Sequence, residues 1–249
     1  MWLANRLFPS VRRLAAEVEE RRVLGPALPP PDLRRRAGGA EDADGFLLIG
    51  AALAWDIHRL LQAQRRPLSS FGAVLDFGCG CGRIGRWLRI GHKLSGCDID
   101  EEAVAWCSSH LQGSFAQTGA QPPLPYVDGA FDLVVAISVF THLDEEREAA
   151  WVAELGRVIR PRGFCIASVN GCSSWALQGA VAGAAYHDEM SVKGFTSGPY
   201  PQAGMPSWYQ NSYHRPDYIE RYWTKDFEIL TYEERAINHH QDAVVMRRR

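Results

Sequence analysis

The sequence has no marked excess of charge of either sign. Its 249 residues include 27 Lys and Arg against 29 Asp and Glu, which gives a net charge of −2. A chain so close to neutrality has no overall attraction for a polyanion, so we expect no nucleic-acid partner. Two short basic runs, at 34–36 and 247–249, are predicted to be solvated surface and a terminal tail.

Long apolar runs and paired metal-binding cysteines are also missing. No stretch approaches the length of a transmembrane helix, and the N-terminal region, unlike a secretory signal, carries Arg6, Arg12 and Arg13 with no long apolar run between them. The six cysteines contain no C-x-x-C pair, which argues against the common zinc and redox motifs. No carboxylate cluster stands out either. We therefore expect reduced core cysteines, a cytoplasmic location, no membrane partner and no metal.

The N-terminal region, 1–66, has two helical patterns separated by a stiff linker. Apolar residues recur at helical spacing over 2–18 and again over about 44–64. Four prolines in 25–31 exclude a helix between them. We expect these helices to pack beside the core as a cap or as a cover for the sheet.

Strand and helix patterns then alternate over 67–170, which predicts a doubly wound, mostly parallel sheet. The predicted helices are 83–90, 101–111 and 145–160, the last capped by Asp144. The predicted strands are 73–77, 94–98, 115–118, 131–138 and 164–169, and residues 224–249 add an antiparallel pair at 227–231 and 243–246.

The segment 171–223 departs from this alternation and is rich in glycine, serine and aromatic residues. A long irregular insertion in a compact domain is usually a functional lid or a disordered segment, and the aromatic density argues against disorder. We expect an insertion that covers the substrate, although a structural excursion without that role fits the composition too.

The most informative motif lies at the end of the first predicted strand. The run Val74-Leu75-Asp76-Phe77 leads into glycines at 78, 80 and 82, and Asp98 ends the second predicted strand. Alternate glycines allow a sharp turn and close approach of a ligand to the main chain. An acid about twenty residues on is placed to accept from ribose hydroxyls. Asp100 precedes the next helix and is the better capping residue, which leaves Asp98 for the ribose.

The glycine spacing separates two classes of nucleotide. Dinucleotide-binding folds use G-x-G-x-x-G, whereas here the sixth position is Arg83. A NAD-dependent oxidoreductase is therefore disfavoured. The sequence instead resembles the class I S-adenosylmethionine-dependent methyltransferases. The resemblance is carried by 76–82, 96–100, 122–125, 129–134, 138–143, 154–163 and 241–245, in order and spacing.

The resemblance implies a Rossmann-like fold with a seven-stranded, mostly parallel sheet, an antiparallel C-terminal strand, and S-adenosyl-L-methionine as the cofactor. It implies that Asp76 lies near the cofactor's amino group and that Asp98 accepts from both ribose hydroxyls, with Ile99 on the adenine. The methionine part would pass over Gly78, Gly80 and Gly82. Backbone contacts would come from Cys79 and Ser138.

One position of the family pattern is absent. Such enzymes often have an acid after the third strand for the adenine amino group, and none stands in 114–121. Gln117, Thr118 or Gln121 must take its place, and the sequence does not choose among them.

Candidates for a catalytic base lie after the fourth strand and in the insertion. Active sites of open α/β sheets lie at the carboxyl ends of the strands, which favours His142. Tyr213 and His214 could also reach the acceptor. The aromatic residues Trp208 and Tyr209, with Tyr213, could form a wall against it. Each of these residues has a purely structural interpretation as well.

These observations lead to one expected function and several competing ones. We expect methyl transfer to an O, N or S nucleophile of a small molecule by in-line displacement. A protein or sugar-nucleotide methyltransferase is the nearest alternative, and a non-catalytic S-adenosylmethionine-binding module is another. The oligomeric state does not follow from the sequence.

Overall fold

The computed structural model of the protein describes residues 27–37, 41–88, 93–178, 184–199, 206 and 208–249. Its helices are α1 Pro31–Arg36, α2 Ala43–Ala63, α3 Gly85–Leu88, α4 Glu101–His110, α5 Glu145–Val158, α6 Cys172–Gln178, α7 Ala184–Lys193 and α8 Pro216–Tyr222. Its strands are β1 Ala73–Phe77, β2 Lys93–Asp98, β3 Ser114–Gln117, β4 Phe131–Ala136, β5 Ile159–Val169, β6 Phe195–Pro199, β7 Gln210–His214, β8 Phe227–Ile237 and β9 Gln241–Arg248.

The main sheet has seven strands in the order β3-β2-β1-β4-β5-β9-β8. The first five in this order pair in parallel, and β9 runs antiparallel to both β5 and β8. Every residue of β4 is buried, as expected for a central strand covered by helices on both faces. The predicted Rossmann-like architecture with one antiparallel C-terminal strand is confirmed.

The order of the strands decides where a ligand can bind. The chain goes outward from β1 through β2 to β3 and then returns to place β4 on the other side of β1. At such a switch point the loops after β1 and β4 diverge and leave a crevice at the carboxyl ends of the strands. The glycine loop, which follows β1, and the turn after β4 both open into this crevice.

Helix α2 covers one face of the sheet. It spans 43–63, within a residue of the prediction at each end, and Asp42 caps it by accepting from Gly45 N. Its buried stripe includes Phe46, Leu53 and Ile57. By length and composition α2 is apolar enough to cross a membrane, contrary to the expectation that no segment would be, but core helices of soluble proteins pass the same test.

One expected helix end was wrong. Helix α5 stops at Val158, and β5 begins at Ile159, five residues before the prediction. A register shift opposite Phe131 and the left-handed backbone of Arg162 let Pro161 lie inside this strand. Helix α1 follows the proline-rich linker and begins at its last residue, Pro31, whose missing N–H costs nothing at the first helical position. The predicted helix over 2–18 lies outside the described residues.

The insertion is largely regular. It contains α6, α7, α8 and a two-stranded antiparallel sheet of β6 and β7, whereas the sequence predicted an irregular segment. An isolated bridge joins Tyr213 of β7 to Asn170, directly after β5. The insertion is therefore attached to the carboxyl end of the main sheet. Cys172, at its start, is exposed rather than buried in the core, and all six cysteines are free thiols.

Candidate functional site

A cavity of about 590 Å³ lies at the carboxyl ends of β1, β2, β4 and β5. Helix α1 contributes Leu33, Arg36 and Ala37 to one wall, and the insertion contributes Trp208 and Tyr209 to another. This volume is in the usual range for sites that hold a small molecule.

The glycine loop forms the floor of the cavity. Gly78 and Gly80 line it, and both have left-handed backbone, at φ 76° and 49°. A Cβ on Gly78 would meet Val139 Cγ2 at 2.4 Å. Glycine is needed there for the turn and for packing between two loops, in addition to any approach by a ligand.

Gly82 and Cys79 do not line the described cavity. Gly82 packs behind the loop, where a Cβ would lie 2.3 Å from Leu111 Cδ1. The N–H of Cys79 donates to Cys97 O at 3.0 Å, and its carbonyl accepts from Gly82 N at 2.9 Å. The expected backbone contacts from Cys79 to a cofactor are therefore not supported. A hydrogen bond with Cys107, together with burial, raises the pKa of its thiol, which makes the thiol a poor nucleophile.

Asp98 lies at the end of β2 beside the loop. Its Oδ2 accepts from Gly80 N at 2.7 Å and its Oδ1 from Asp100 N at 2.9 Å. The N–H of Ile99 also acts on this carboxylate, which has about four acceptor positions in all and can therefore still accept from a ribose hydroxyl. Asp100 caps α4 by accepting from the N–H groups of Glu102 and Ala103, as predicted.

The neighbours of Asp98 fit a nucleoside. Ile99 lines the cavity with 40% of its surface exposed, so its apolar side chain is available to pack on a flat ring bound there. Of the three candidates for the adenine amino group, Thr118 lines the cavity. Gln117 and Gln121 are exposed, so the structure favours Thr118.

Asp76 is buried beneath the glycine loop, with 2% of its surface exposed. Its Oδ2 has no hydrogen-bond partner. Burial raises the pKa of Asp76 to about 7, the negative charge of Asp98 adds to the rise, and Arg83 and the N–H of Gly85 oppose it. A buried acceptor without a donor points to a missing partner, and a cationic group would be the strongest one.

These features fit S-adenosylmethionine. Its amino group is a cation and would supply the partner that the carboxylate of Asp76 does not have in the fold. Its ribose hydroxyls can donate hydrogen bonds to Asp98, and its adenine ring has an apolar face that can pack on Ile99. The loop at Gly78 and Gly80 leaves main chain exposed along the path between the two acids. The residues present would therefore hold this cofactor with its methionine end over the loop and its nucleoside beyond Asp98.

The turn after β4 brings Ser138 and His142 to the cavity. Ser138 has a left-handed backbone, at φ 59°, its N–H donates to Ser168 Oγ at 2.7 Å, and its hydroxyl donates to Gln241 Oε1 at 3.1 Å. His142 hydrogen-bonds through Nδ1 to Gln210 O at 3.0 Å and stacks on Tyr209 at 4.3 Å between ring centroids. Burial lowers the pKa of His142, which favours the neutral imidazole that a general base requires.

Tyr213 and His214 do not reach the cavity. His214 is fully buried, and its Nε2 lies 2.6 Å from Glu148 Oε2. Trp223 Nε1 donates to the other oxygen of Glu148 at 2.8 Å. Tyr213 is buried too, and its hydroxyl accepts from Asn211 Nδ2 at 2.7 Å. Both residues fix the insertion to the core, so we no longer expect either to act on the acceptor.

Several cavity residues were not predicted. Arg36 of α1 forms ion pairs with Asp100, at 2.8 Å, and Glu102, at 2.5 Å, which hold α1 beside the glycine loop. Thr141, Asn170 and Asn211 also line the cavity. Thr141 adjoins the predicted His142 and could have been considered, whereas nothing local in the sequence marks the two asparagines. Among the described residues, no group of three or more potential metal ligands is found.

Comparison with known proteins matches residues 75–167 to the family described as "Methyltransferase domain". The chain is 34% identical to a tRNA (carboxymethyluridine(34)-5-O)-methyltransferase of Arabidopsis thaliana, over 44% of this chain and 26% of that protein. It is 28% identical to Methyltransferase GfsG of Streptomyces halstedii, over 40% of this chain and 38% of that protein. The chain spans at most half the length of these curated relatives.

Solved structures agree on the fold. The structure of magnesium protoporphyrin IX methyltransferase from Synechocystis, with bound S-adenosylhomocysteine, superposes with a TM-score of 0.59 at 18% identity, over 88% of this chain and 94% of that one. A SAM-dependent methyltransferase from Methanosarcina mazei gives 0.54 at 21% identity, over 71% and 92%.

Proposed function

We propose that this protein is an S-adenosylmethionine-dependent methyltransferase that transfers a methyl group to an O, N or S nucleophile of a small molecule; the match of residues 75–167 to a methyltransferase domain supports this. The bound cofactor supplies a methyl group on a sulfonium, which is reactive toward in-line displacement. The protein's task is then to align the acceptor, exclude water and, for a neutral acceptor, remove a proton.

The chain has residues for each of these tasks. Asp98 lines the cavity and Asp76 is buried directly beneath its glycine-loop floor, and together they would fix the orientation of the cofactor. Helix α1 and the insertion wall off the sides and would limit access of water. His142 adjoins the same cavity and is the side chain placed to hold an acceptor's proton.

One observation supports the proposal that the acceptor is a small molecule: the cavity is walled by two parts of the chain that are far apart in sequence, helix α1 with its C-cap and the insertion. Leu33 and Ala37 lie on one side and Trp208 and Tyr209 on the other, over a floor made by the glycine loop. A concave site of this kind suits an acceptor that enters whole. The net charge of −2 gives no general attraction for RNA, although one relative is a tRNA methyltransferase.

Calorimetric titration with S-adenosylmethionine, S-adenosylhomocysteine and NAD tests the cofactor. We expect the first two to bind with micromolar affinity and NAD not to bind; the reverse would overturn the proposal. Transfer of radiolabelled methyl groups is then measured separately on metabolite pools, total tRNA and protein extract. Label in the metabolite pool supports a small-molecule acceptor. Label confined to tRNA or to protein would show that the acceptor is that macromolecule instead. Cofactor binding without transfer to any pool would indicate a non-catalytic binding module.

A further inference from the structure

The two ends of the cavity differ in chemistry. The charged side chains that line it, Asp98, Asp100, Arg35, Arg36 and Arg83, belong to α1, the glycine loop and the end of β2. Beyond Ser138, the described lining residues have no carboxylate, lysine or arginine, and the polar groups are hydroxyls, amides and imidazoles. The cofactor accounts for the charged end, which leaves the uncharged end for the acceptor.

Thr141 provides an independent sign of a ligand at the uncharged end. It lines the cavity, 1% of its surface is exposed, and its Oγ1 has no hydrogen-bond partner. A buried hydroxyl that donates to nothing is costly, and native structures rarely retain one without a purpose. A polar atom of a bound acceptor would satisfy it.

The wall beside Thr141 is flat and aromatic. The rings of His142 and Tyr209 stack at 4.3 Å with an angle of 21° between their planes, and Trp208 lies next to Tyr209. The guanidinium of Arg147 covers Trp208 at 5.4 Å and stiffens this side. Such a surface favours a planar molecule over a flexible or branched one.

Two amides form a fixed polar edge of the cavity. Asn170 Nδ2 donates to Asn211 Oδ1 at 3.3 Å and to Ser212 O at 3.1 Å. Asn211 Nδ2 donates in turn to Tyr213 OH at 2.7 Å. These bonds hold uncharged amides in place along the cavity, so the site can hydrogen-bond a neutral acceptor without offering a counter-ion for a carboxylate or an ammonium.

His142 supplies what a neutral hydroxyl requires. Its Nδ1 faces the carbonyl oxygen of Gln210, which can only accept, so Nδ1 carries the proton and Nε2 the lone pair. The ionisable group that stacks on the His142 ring is the phenol of Tyr209. On neighbouring elements, Asp144 and Arg147 are paired with each other, and Tyr213 and His214 lie outside the cavity.

We propose that the acceptor of this enzyme is a planar, uncharged hydroxyl compound of the phenol class, bound between Thr141 and the His142–Tyr209 stack. This inference rests on the proposed methyltransferase function and narrows its acceptor. In the reaction the acceptor oxygen bonds to the methyl carbon as the carbon–sulfur bond of the cofactor breaks. The electron pair of that bond stays on sulfur, and the hydroxyl proton passes to Nε2 of His142.

Binding without turnover tests the site directly. With S-adenosylhomocysteine present, we expect fluorescence titration to show binding of 7-hydroxycoumarin and at least about tenfold weaker binding of 7-hydroxycoumarin-3-carboxylate and of cyclohexanol by competition. Thr141→Val should weaken 7-hydroxycoumarin about tenfold, the value of one net hydrogen bond. The same variant should leave S-adenosylhomocysteine binding unchanged and should hold or raise the melting temperature, since the buried hydroxyl has no partner in the fold. Thr224→Val is the matched control, because its hydroxyl donates to Glu220 O away from the cavity.

The role of His142 is tested by a pH profile of methyl transfer to 7-hydroxycoumarin. His142→Gln should lower the rate by at least about 100-fold at pH 7, well beyond any weakening of coumarin binding caused by the loss of its ring from the wall. The remaining rate should then rise with pH as the phenol itself ionises. His110→Gln, an exposed histidine on α4, should match the wild type.

The outcomes distinguish a failure of the methyltransferase proposal from a failure of the acceptor proposal. If S-adenosylhomocysteine does not bind the wild type, the methyltransferase proposal and the acceptor proposal both fail. If it binds but the carboxylate analogue competes as well as 7-hydroxycoumarin, or Thr141→Val binds like wild type, the acceptor inference is overturned and the methyltransferase remains. An unchanged pH profile in His142→Gln would remove His142 as the base.

Discussion

Replacing Asp76 with asparagine should stabilise the protein without cofactor and weaken its hold on the cofactor. The carboxyl group of Asp76 is buried with one oxygen unpartnered. Its pKa is raised from 3.8 to about 7 by burial, with the charge of Asp98 adding to the rise. A shift of about three units corresponds to about 4 kcal/mol of cost for the ionised form, at about 1.4 kcal/mol per unit.

The sign of this effect depends on pH. Above pH 7 Asp76 is ionised in both the folded and the unfolded protein, so the folded state carries the full cost. Between pH 7 and 4 the folded state keeps its proton while the unfolded chain loses it, and the cost diminishes as pH falls. Stability contributed by Asp76 is therefore lost as pH rises through this window. Asp76→Asn, which mimics the neutral acid, should gain about 4 kcal/mol at pH 8 and less than about 1 kcal/mol at pH 4.

Urea denaturation at pH 8, 6 and 4 measures this gain through the midpoint and slope of each transition. Asp132→Asn is the matched control, since its carboxylate is also buried but accepts from Gly72 N at 2.6 Å and pairs with Arg160 at 2.9 Å. It should destabilise the protein. If Asp76→Asn also destabilises the protein at pH 8, or if its gain in stability does not depend on pH, then the buried carboxylate of Asp76 does not destabilise the folded state and the reasoning fails.

Three further changes test the site and its support. Asp98→Ala should weaken S-adenosylmethionine binding at least about 100-fold in calorimetry, because two ribose hydroxyls lose an ionised acceptor; near-normal affinity would refute the ribose assignment. Gly82→Ala should lower stability by about 2–4 kcal/mol, clearly more than its control Gly129→Ala. Both glycines have positive φ, but a Cβ at Gly82 would lie 2.3 Å from a leucine methyl group, whereas a Cβ at Gly129 would have its nearest neighbour at 3.5 Å. Equal melting temperatures of the two variants would contradict this. His214→Ala should cost about 2–4 kcal/mol in urea denaturation, because it leaves a cavity at a fully buried site and removes one of the two hydrogen-bond partners of Glu148; a loss below about 1 kcal/mol would show that this contact does not anchor the insertion.

The core of the fold was predictable because its signals are local. The five residues of β1 were predicted without error, and β2 and β3 each within a residue, since buried strands have apolar runs between turn residues. The ribose acid was predictable too, because the loop and one crossover helix fix the spacing between the glycines and Asp98. These parts depend on neighbours in sequence.

What failed depends on partners that are distant in sequence. The sequence makes His214 a candidate for catalysis, but in the structure it pairs with Glu148, 66 residues earlier. Helix α1 was obscured by prolines, although Pro31 at the start, Asp32 in the first turn and three arginines in the last turn are favourable for a helix. Thr141 carries no signal of its own, because a missing hydrogen bond exists only once the fold has surrounded the hydroxyl.

The burial of Asp76 both lowers the stability of the protein without cofactor and prepares a site for the cofactor's amino group. A buried carboxylate with one oxygen unpartnered beneath the glycine loop destabilises the protein without cofactor, and a cation beside it would favour its ionised form. Binding of S-adenosylmethionine at pH 6 should therefore release close to one proton from Asp76, whose pKa is about 7, and much less at pH 8, where the proton is already lost. Calorimetric titration in buffers of different ionisation enthalpy counts these protons, and Asp76→Asn provides the baseline. No proton release at pH 6, or the same release in Asp76→Asn, would show that the cofactor's amino group is held by another residue.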